Sequence, residues 1–268
     1  MTWKEILYWL PRLMFKRGFL PGSLRAVVKL VVLSWFDRRE SVTAVIFGFR
    51  VHGPGYHTLL FLVKEIFLEQ PYRFAASTPT PLIVDCGSNI GMSVLYFKLI
   101  YPGARIICFE PQARAFSLLQ RNIHDNRLTS ITAHQVALTN HNGIETFFEP
   151  ASGAGLMASF FSDRETHGAP VPTPVRCLSG YIDGQPDMLK IDVEGAEDLI
   201  LEDLLAAQKL GARNLVIEYH HGIAGTKLSL AGFLSRIESA GYRYSLLGNS
   251  VEPGQYQDLL IRCKRETV

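Results

Sequence analysis

Cysteine is scarce in this chain and never closely paired. Of 268 residues only Cys86, Cys108, Cys177 and Cys263 carry a thiol, and no two stand in a CxxC spacing. Neither a zinc site nor a disulfide framework is therefore expected, and no metal. Cys86 and Cys108 sit inside apolar runs, as small buried side chains do in a reducing compartment. Long apolar runs are missing as well: Lys4, Arg12, Lys16, Arg17, Arg25 and Lys29 break up the N-terminal candidates. Nothing reaches the roughly 18 apolar residues of a membrane-spanning helix. The N-terminus shows no clean apolar core of a signal peptide and no cleavage site, so a cytoplasmic location is the expectation. A strong net charge is lacking too, the total being +2. Residues 1–40 hold eight Lys/Arg against three acids, a net of +5 that leaves −3 for the rest. No basic field covers the remainder of the chain, which argues against nucleic acid as a partner. No internal repeat appears. What remains, 47% hydrophobic and 19% charged, is enough to bury a core in one large domain or one domain with an appendage.

The chain is organised around Leu82-Ile83-Val84-Asp85-Cys86-Gly87-Ser88-Asn89-Ile90-Gly91. A short apolar run ends in an acid and breaks into small residues, and the apolar residues that follow Gly91 extend far enough for a packed helix. The unit reads as strand, glycine loop, helix. Such a loop brings backbone N–H groups close to an anionic ligand group. A dinucleotide fingerprint would need glycine at 89 and 92, where this chain has Asn89 and Met92. The pattern Asp-x-Gly-x-Asn-x-Gly resembles instead the first motif of class I methyltransferases that use S-adenosylmethionine. A loop whose glycines serve only to turn the chain is the plainer alternative. The strand Ile106–Phe109 then delivers Glu110, 19 residues after Gly91, close to the roughly 20 expected of an acid that binds ribose hydroxyls. An acid beside a helix N-terminus can also be a simple dipole partner.

Residues 2–36 alternate apolar clusters with basic residues, and Pro11 and Pro21-Gly22 divide them into short amphipathic helices. They read as a helical cap or self-association surface, with a possible homodimer, or as a basic set of helices in peripheral contact with a membrane. Val45 to Val51 resembles one strand, followed by a turn at 52–55 and a helix over Leu59 to Phe67. A strand is expected near Ile131 to Leu138, with Asn142-Gly143 turning the chain into a paired strand at Ile144–Phe148. Between Pro150 and Pro174 the composition of Gly, Pro, Ala and Ser suggests a long substrate-side loop. Further strands are read at Met188–Ile191, at Leu215–Ile217 and, as a terminal hairpin, at Tyr242–Leu247 and Leu259–Cys263.

Several motifs now coincide in order: Val84 to Gly91, Phe109-Glu110-Pro111, Val136-Ala137-Leu138, Leu189-Lys190-Ile191-Asp192-Val193-Glu194-Gly195-Ala196-Glu197, and Ile217-Glu218-Tyr219-His220. Together they resemble the FkbM-type methyltransferase family over about residues 82–222. The resemblance implies an α/β fold: a class I methyltransferase (Rossmann-like) sheet with an antiparallel C-terminal hairpin and an N-terminal helical extension. It divides the chain into residues 1–75, the extension or cap, and 76–268, the S-adenosylmethionine-binding domain. It implies methyl transfer to a hydroxyl of a sugar, glycolipid or natural product, with a small-molecule or glycan acceptor. The cofactor set carried over is Asp85, Gly87, Asn89, Gly91, Glu110, Ala137 and Asp192. Asp192 and Glu194, at the end of a strand, are placed to face the methyl group, or else form an acid pair at a helix start. His220 ends the next strand and would titrate near neutrality, which makes it the candidate base. Where the family often has Leu-Asp, this chain has Leu178-Ser179, so no acid role passes to position 179. The rivals are a fold retained without catalysis, as a binding module at a membrane surface or partner protein, and a nicotinamide-dependent enzyme.

Overall fold

A computed structural model describes residues 22–37, 39–149, 169–221, 229–248 and 257–265. Of the amphipathic helices expected over residues 2–36 and the loop expected between Pro150 and Pro174, residues 2–21 and 150–168 lie outside the described residues, and the end of that loop, from Ala169, is strand. Ser23–Phe36 forms α1, Val42–Ile46 and Phe49–Gly53 form β1 and β2, and Tyr56–Leu62 forms α2, which runs on through a π-helical turn at Val63–Leu68. The single strand expected over Val45 to Val51 is a hairpin instead: Phe47 and Gly48 both adopt positive φ and reverse the chain. A two-residue reversal of that kind suits the twist of paired strands, and Gly48 marked it.

The central unit follows as expected. Leu82–Cys86 (β3) leads through the glycine loop into Met92–Ile100 (α3), then Arg105–Phe109 (β4), Ala113–Asp125 (α4) and Ile131–His134 (β5). Four of the five β3 residues are buried, the pattern of a parallel strand covered on both faces. The expected strand Ile131 to Leu138 is broken at Gln135-Val136. Its second half, Ala137–Thr139 (β6), leaves the main sheet for a three-stranded one with Gly143–Glu149 (β7) and Ala169–Cys177 (β8). β7 accordingly pairs with β8 and not with the strand before it. Pro170, Pro172 and Pro174 concealed β8 in the sequence. They occupy alternate positions, so their missing N–H groups fall on one edge and the residues between keep the ladder with β7. β6 joins that other edge only from Val175 onward, past the last proline.

The chain re-enters the main sheet as Met188–Ile191 (β9), Glu197–Ala206 (α5), Asn214–His221 (β10), Leu230–Ser239 (α6), Tyr242–Gly248 (β11) and Gln257–Arg265 (β12). The seven strands run in the order β11-β12-β10-β9-β3-β4-β5. Those from β10 to β5 are parallel, and β12 is antiparallel to both of its neighbours. This is the class I methyltransferase sheet with its antiparallel C-terminal hairpin. One face packs Leu30, Leu59, Phe67, Tyr96, Phe97 and Leu119 in a cluster shared by α1 to α4. The other packs Ile200, Leu204, Phe233 and Ile237 from α5 and α6. Among the described residues no helix is long and apolar enough to cross a membrane. From β3 the chain passes to β4 on one side, while β9 lies on the other. Between the ends of β3 and β9 is therefore the point where the winding reverses and a ligand cleft opens in such sheets.

Candidate active site

At that point the loop after β3 is locked from several directions. Gly87 N and Ser88 N donate to Phe109 O at 3.0 and 2.9 Å. Gly87 has φ +83°, and a Cβ there would stand 1.6 Å from Asp192 O. Only glycine lets the end of β9 pass this close. Asn89 also holds a left-handed backbone, at φ 49°, a conformation that asparagine tolerates better than most residues. Gly91 caps α3 with φ +89°, where a Cβ would meet Leu119 Cδ1 at 2.7 Å. Its role is packing of helix on helix.

Glu110 follows β4 and is fixed through both oxygens. Oε2 accepts from Asn89 N at 2.8 Å and Oε1 from Gln112 N at 2.9 Å. Burial lifts its carboxyl to about 7 against the pull of these two donors. A cleft opens here, lined by Gly87, Asn89, Glu110, Ala137, Asp192 and Glu194, with Phe109, Leu138 and Phe147 as apolar wall. Five of the seven expected cofactor residues thus meet in one place. Gly91 and Asp85 do not line it. Asp85 is fully buried behind the loop, where Ser93 Oγ donates to Oδ2 at 2.5 Å and Lys190 Nζ lies 3.3 Å from Oδ1. The acid expected to touch the cofactor holds the loop's foundation instead, because its strand position points it inward.

Lys190 was quoted in the motif but given no role. Its Nζ donates to Gly87 O at 2.7 Å, lies 3.2 Å from Asp192 Oδ2 and sits over the Tyr72 ring. Burial works against the charge, but Asp192 and Asp85 outweigh it and hold the ammonium well above its ordinary pKa. The signal in the sequence was a lysine in an otherwise apolar strand.

Beyond the loop lies a second cavity of about 170 Å³, lined on its polar side by Glu65, Lys190, Asp192, Glu194, Glu218, His220 and Asp258. Asp192 and Glu194 border both spaces, and Glu194 does so from a left-handed backbone at φ 60°. His220 is buried, its Nδ1 2.8 Å from Glu197 Oε1 and its Nε2 3.3 Å from Glu194 Oε2. Burial opposes its charge, yet the carboxylates of Glu197, Glu194 and Asp192 prevail and raise it to about 10. The expectation that His220 titrates near neutrality is therefore corrected: at pH 7 it already holds the proton that a base must accept. Asp192 is the largest influence on Glu218, ahead of burial, and together they raise it to about 9. Burial raises Glu65 and Glu194 to about 7. Glu197 and Glu218 stood in the quoted motifs without a role, and Glu65 joined this cluster from outside any motif. The side chain of His221 lies outside the described residues. Ser179, standing where the family often has an acid, is met by one from elsewhere: its N and Oγ donate to Asp203 at 2.8 and 2.6 Å.

Comparison with known proteins gives the site its relatives. A family model described as the methyltransferase FkbM domain matches residues 85–244. Methyltransferase 1 of Beauveria bassiana is 29% identical over 230 residues, covering 76% of this chain and 89% of the relative. Methyltransferase sdnD of Sordaria araneosa is 32% identical over 190 residues, 59% of this chain and 73% of the relative. The 31-O-demethyl-FK506 methyltransferase FkbM of Streptomyces tacrolimicus is 27% identical over 196 residues, 60% of this chain and 74% of the relative. With the family model spanning more than half of the chain and every residue that lines the first cleft, this protein belongs to the FkbM methyltransferase family and is a methyltransferase.

Proposed function

We propose that the protein transfers the methyl group of S-adenosylmethionine to a hydroxyl of a small molecule or glycan, such as a sugar, a glycolipid or another natural product. The observation that carries the donor assignment is Glu110. Its two oxygens are pinned by backbone N–H groups, and it faces the cleft beside Gly87 and Asn89. Its remaining lone pairs are ready acceptors for two ribose hydroxyls. Ala137, Leu138 and Phe147 offer an apolar wall for the base, and Gly87 and Asn89 bring backbone close to the rest of the donor.

The sulfonium of the donor activates the methyl group, so the protein's task is alignment and removal of one proton. Asp192 and Glu194 border both the donor cleft and the second cavity, and they are the groups placed to receive that proton. His220, already protonated, positions them. A cavity wall of carboxylates favours an acceptor that donates many hydrogen bonds, as polyhydroxylated molecules do. The name of the Streptomyces relative, which specifies methylation at oxygen, supports the same choice.

The test is thermal protection followed by transfer. S-adenosylmethionine and S-adenosylhomocysteine raise the melting temperature while NAD leaves it unchanged, and labelled methyl appears on hydroxylated members of an acceptor panel. Protection by NAD alone overturns the donor assignment. Transfer confined to amines overturns the acceptor class.

A further inference from the structure

The polar wall of the second cavity contains an arrangement that methyl transfer does not call for. Glu218 and His220 are two residues apart on β10 and so face the same side of the sheet. Asp258 stands opposite His220 in the antiparallel ladder with β12. One ligand atom from each of these three side chains lies within 4.8 Å of the others.

The histidine is held as a ligand would be. Buried Glu197, 1% exposed, takes Nδ1 at 2.8 Å and fixes the ring, which turns Nε2 toward Glu194 at 3.3 Å and Asp258 at 3.7 Å. A carboxylate behind one ring nitrogen with oxygen donors before the other is the support that metal-binding histidines have. Glu218, half-buried on the same wall, makes no hydrogen bond among the described residues. Charge points the same way. Glu65, Asp192, Glu194, Glu218 and Asp258 line a space whose cationic groups are Lys190 and His220. Lys190 is already committed to Asp85, Asp192 and the Gly87 carbonyl.

We propose that this cavity binds one divalent cation through His220 Nε2, Glu218 and Asp258. One imidazole with two carboxylates suits a first-row ion such as Mn²⁺ better than Ca²⁺, which prefers oxygen alone. Only neutral imidazole and ionised carboxylates can ligate, so the ion competes with protons for this site. The ion lies beside Glu194 and Asp192, on the acceptor's side of the donor cleft. A hydroxyl that reaches it is polarised and loses its proton more easily.

Calorimetry of the full chain with Mn²⁺ at pH 8, in two buffers of different ionisation enthalpy, tests this. Expected is one saturable site, with protons released as the ion binds. Glu218→Gln and Asp258→Asn each weaken binding at least about tenfold. Asp258 is exposed at the cavity mouth, so its variant keeps the test decisive should changes at Glu218 or His220 unfold the chain. Absence of saturable binding up to millimolar Mn²⁺ overturns the proposal, as does binding that both variants leave untouched. Neither result bears on thermal protection by S-adenosylmethionine, so this inference and the donor assignment fail separately.

Discussion

The two spaces on either side of Asp192 and Glu194 are built on opposite electrostatic plans. In the donor cleft Glu110 meets two backbone N–H groups, and the surroundings are glycine, asparagine and apolar side chains. In the second cavity five carboxylates share two cationic side chains. The first is satisfied by its own chain and presents a fixed shape. The second is in electrostatic deficit and becomes complete only with protons, a cation or a ligand rich in donors. Under the proposed function, a fixed shape suits a donor common to many enzymes, and acceptor choice falls to the space whose charge remains uncompensated.

Gly87→Ala breaks the comparison most severely, because it strikes the wall between the two spaces. The new Cβ would meet the Asp192 carbonyl at 1.6 Å from a left-handed backbone. A stability loss of about 4 kcal/mol or more is expected in denaturant unfolding, with both spaces distorted together. Next comes Glu197→Gln, which removes the buried partner of His220 and should lose about 3 kcal/mol. Glu197 Oε1 also accepts from Gly195 N at 3.0 Å, a bond that the glutamine oxygen can keep, so calorimetry of the folded variant should give nearly unchanged S-adenosylhomocysteine affinity. Glu110→Ala inverts that outcome. It should lower S-adenosylhomocysteine affinity by about 1.5–3 kcal/mol, roughly ten- to a hundredfold, and leave the second cavity as it was.

A last contrast is a pH slope that comes mainly from the second cavity. His220 is raised to about 10 in the folded chain from 6.5. Its stabilisation is fully present below about 6.5 and is lost as pH rises through about 10. Glu65, Glu194 and Glu218 act in the same direction, Glu65 and Glu194 losing their contribution as pH rises through about 7 and Glu218 as it rises through about 9. Chelator-treated protein should therefore lose stability between pH 7 and 9, about 1.4 kcal/mol per pH unit for each proton retained. His220→Gln should flatten the slope. A melting temperature constant over this range would mean that the cavity's charges are already balanced.

The two halves also differed in how far they could be read from the amino acids. The donor half is local: Gly87, Asn89 and Glu110 lie within two consecutive strand–helix units, and their spacing reflects one loop and one strand length. Even so, Asp85 lies behind the loop and outside the cleft, because its position on the strand points its carboxylate inward. The second cavity gathers Glu65 from a π-helical turn, Glu218 and His220 from β10 and Asp258 from β12. Those segments meet only through sheet order, which no short-range pattern encodes. His220 could be placed at a strand end. Its protonation could not, since that depends on Glu197, 23 residues earlier on another element.

That sheet order also constrains how the chain is assembled. β12 lies between β10 and β11 although it follows both in the sequence. A growing chain that has made β11 therefore has to keep its place open until residues 257–265 arrive, and meanwhile β10 presents an unpaired edge. Pairing of β10 with β12 joins residues 50 positions apart at Asn214↔Lys264 and 36 apart at His221↔Gln257, so it belongs to the slow, non-local steps of folding. Asp258 enters with that strand. The residues that line the first cleft are thus all synthesised before Asp258 completes the charged cavity, and a chain interrupted before β12 would leave β10 open to aggregation.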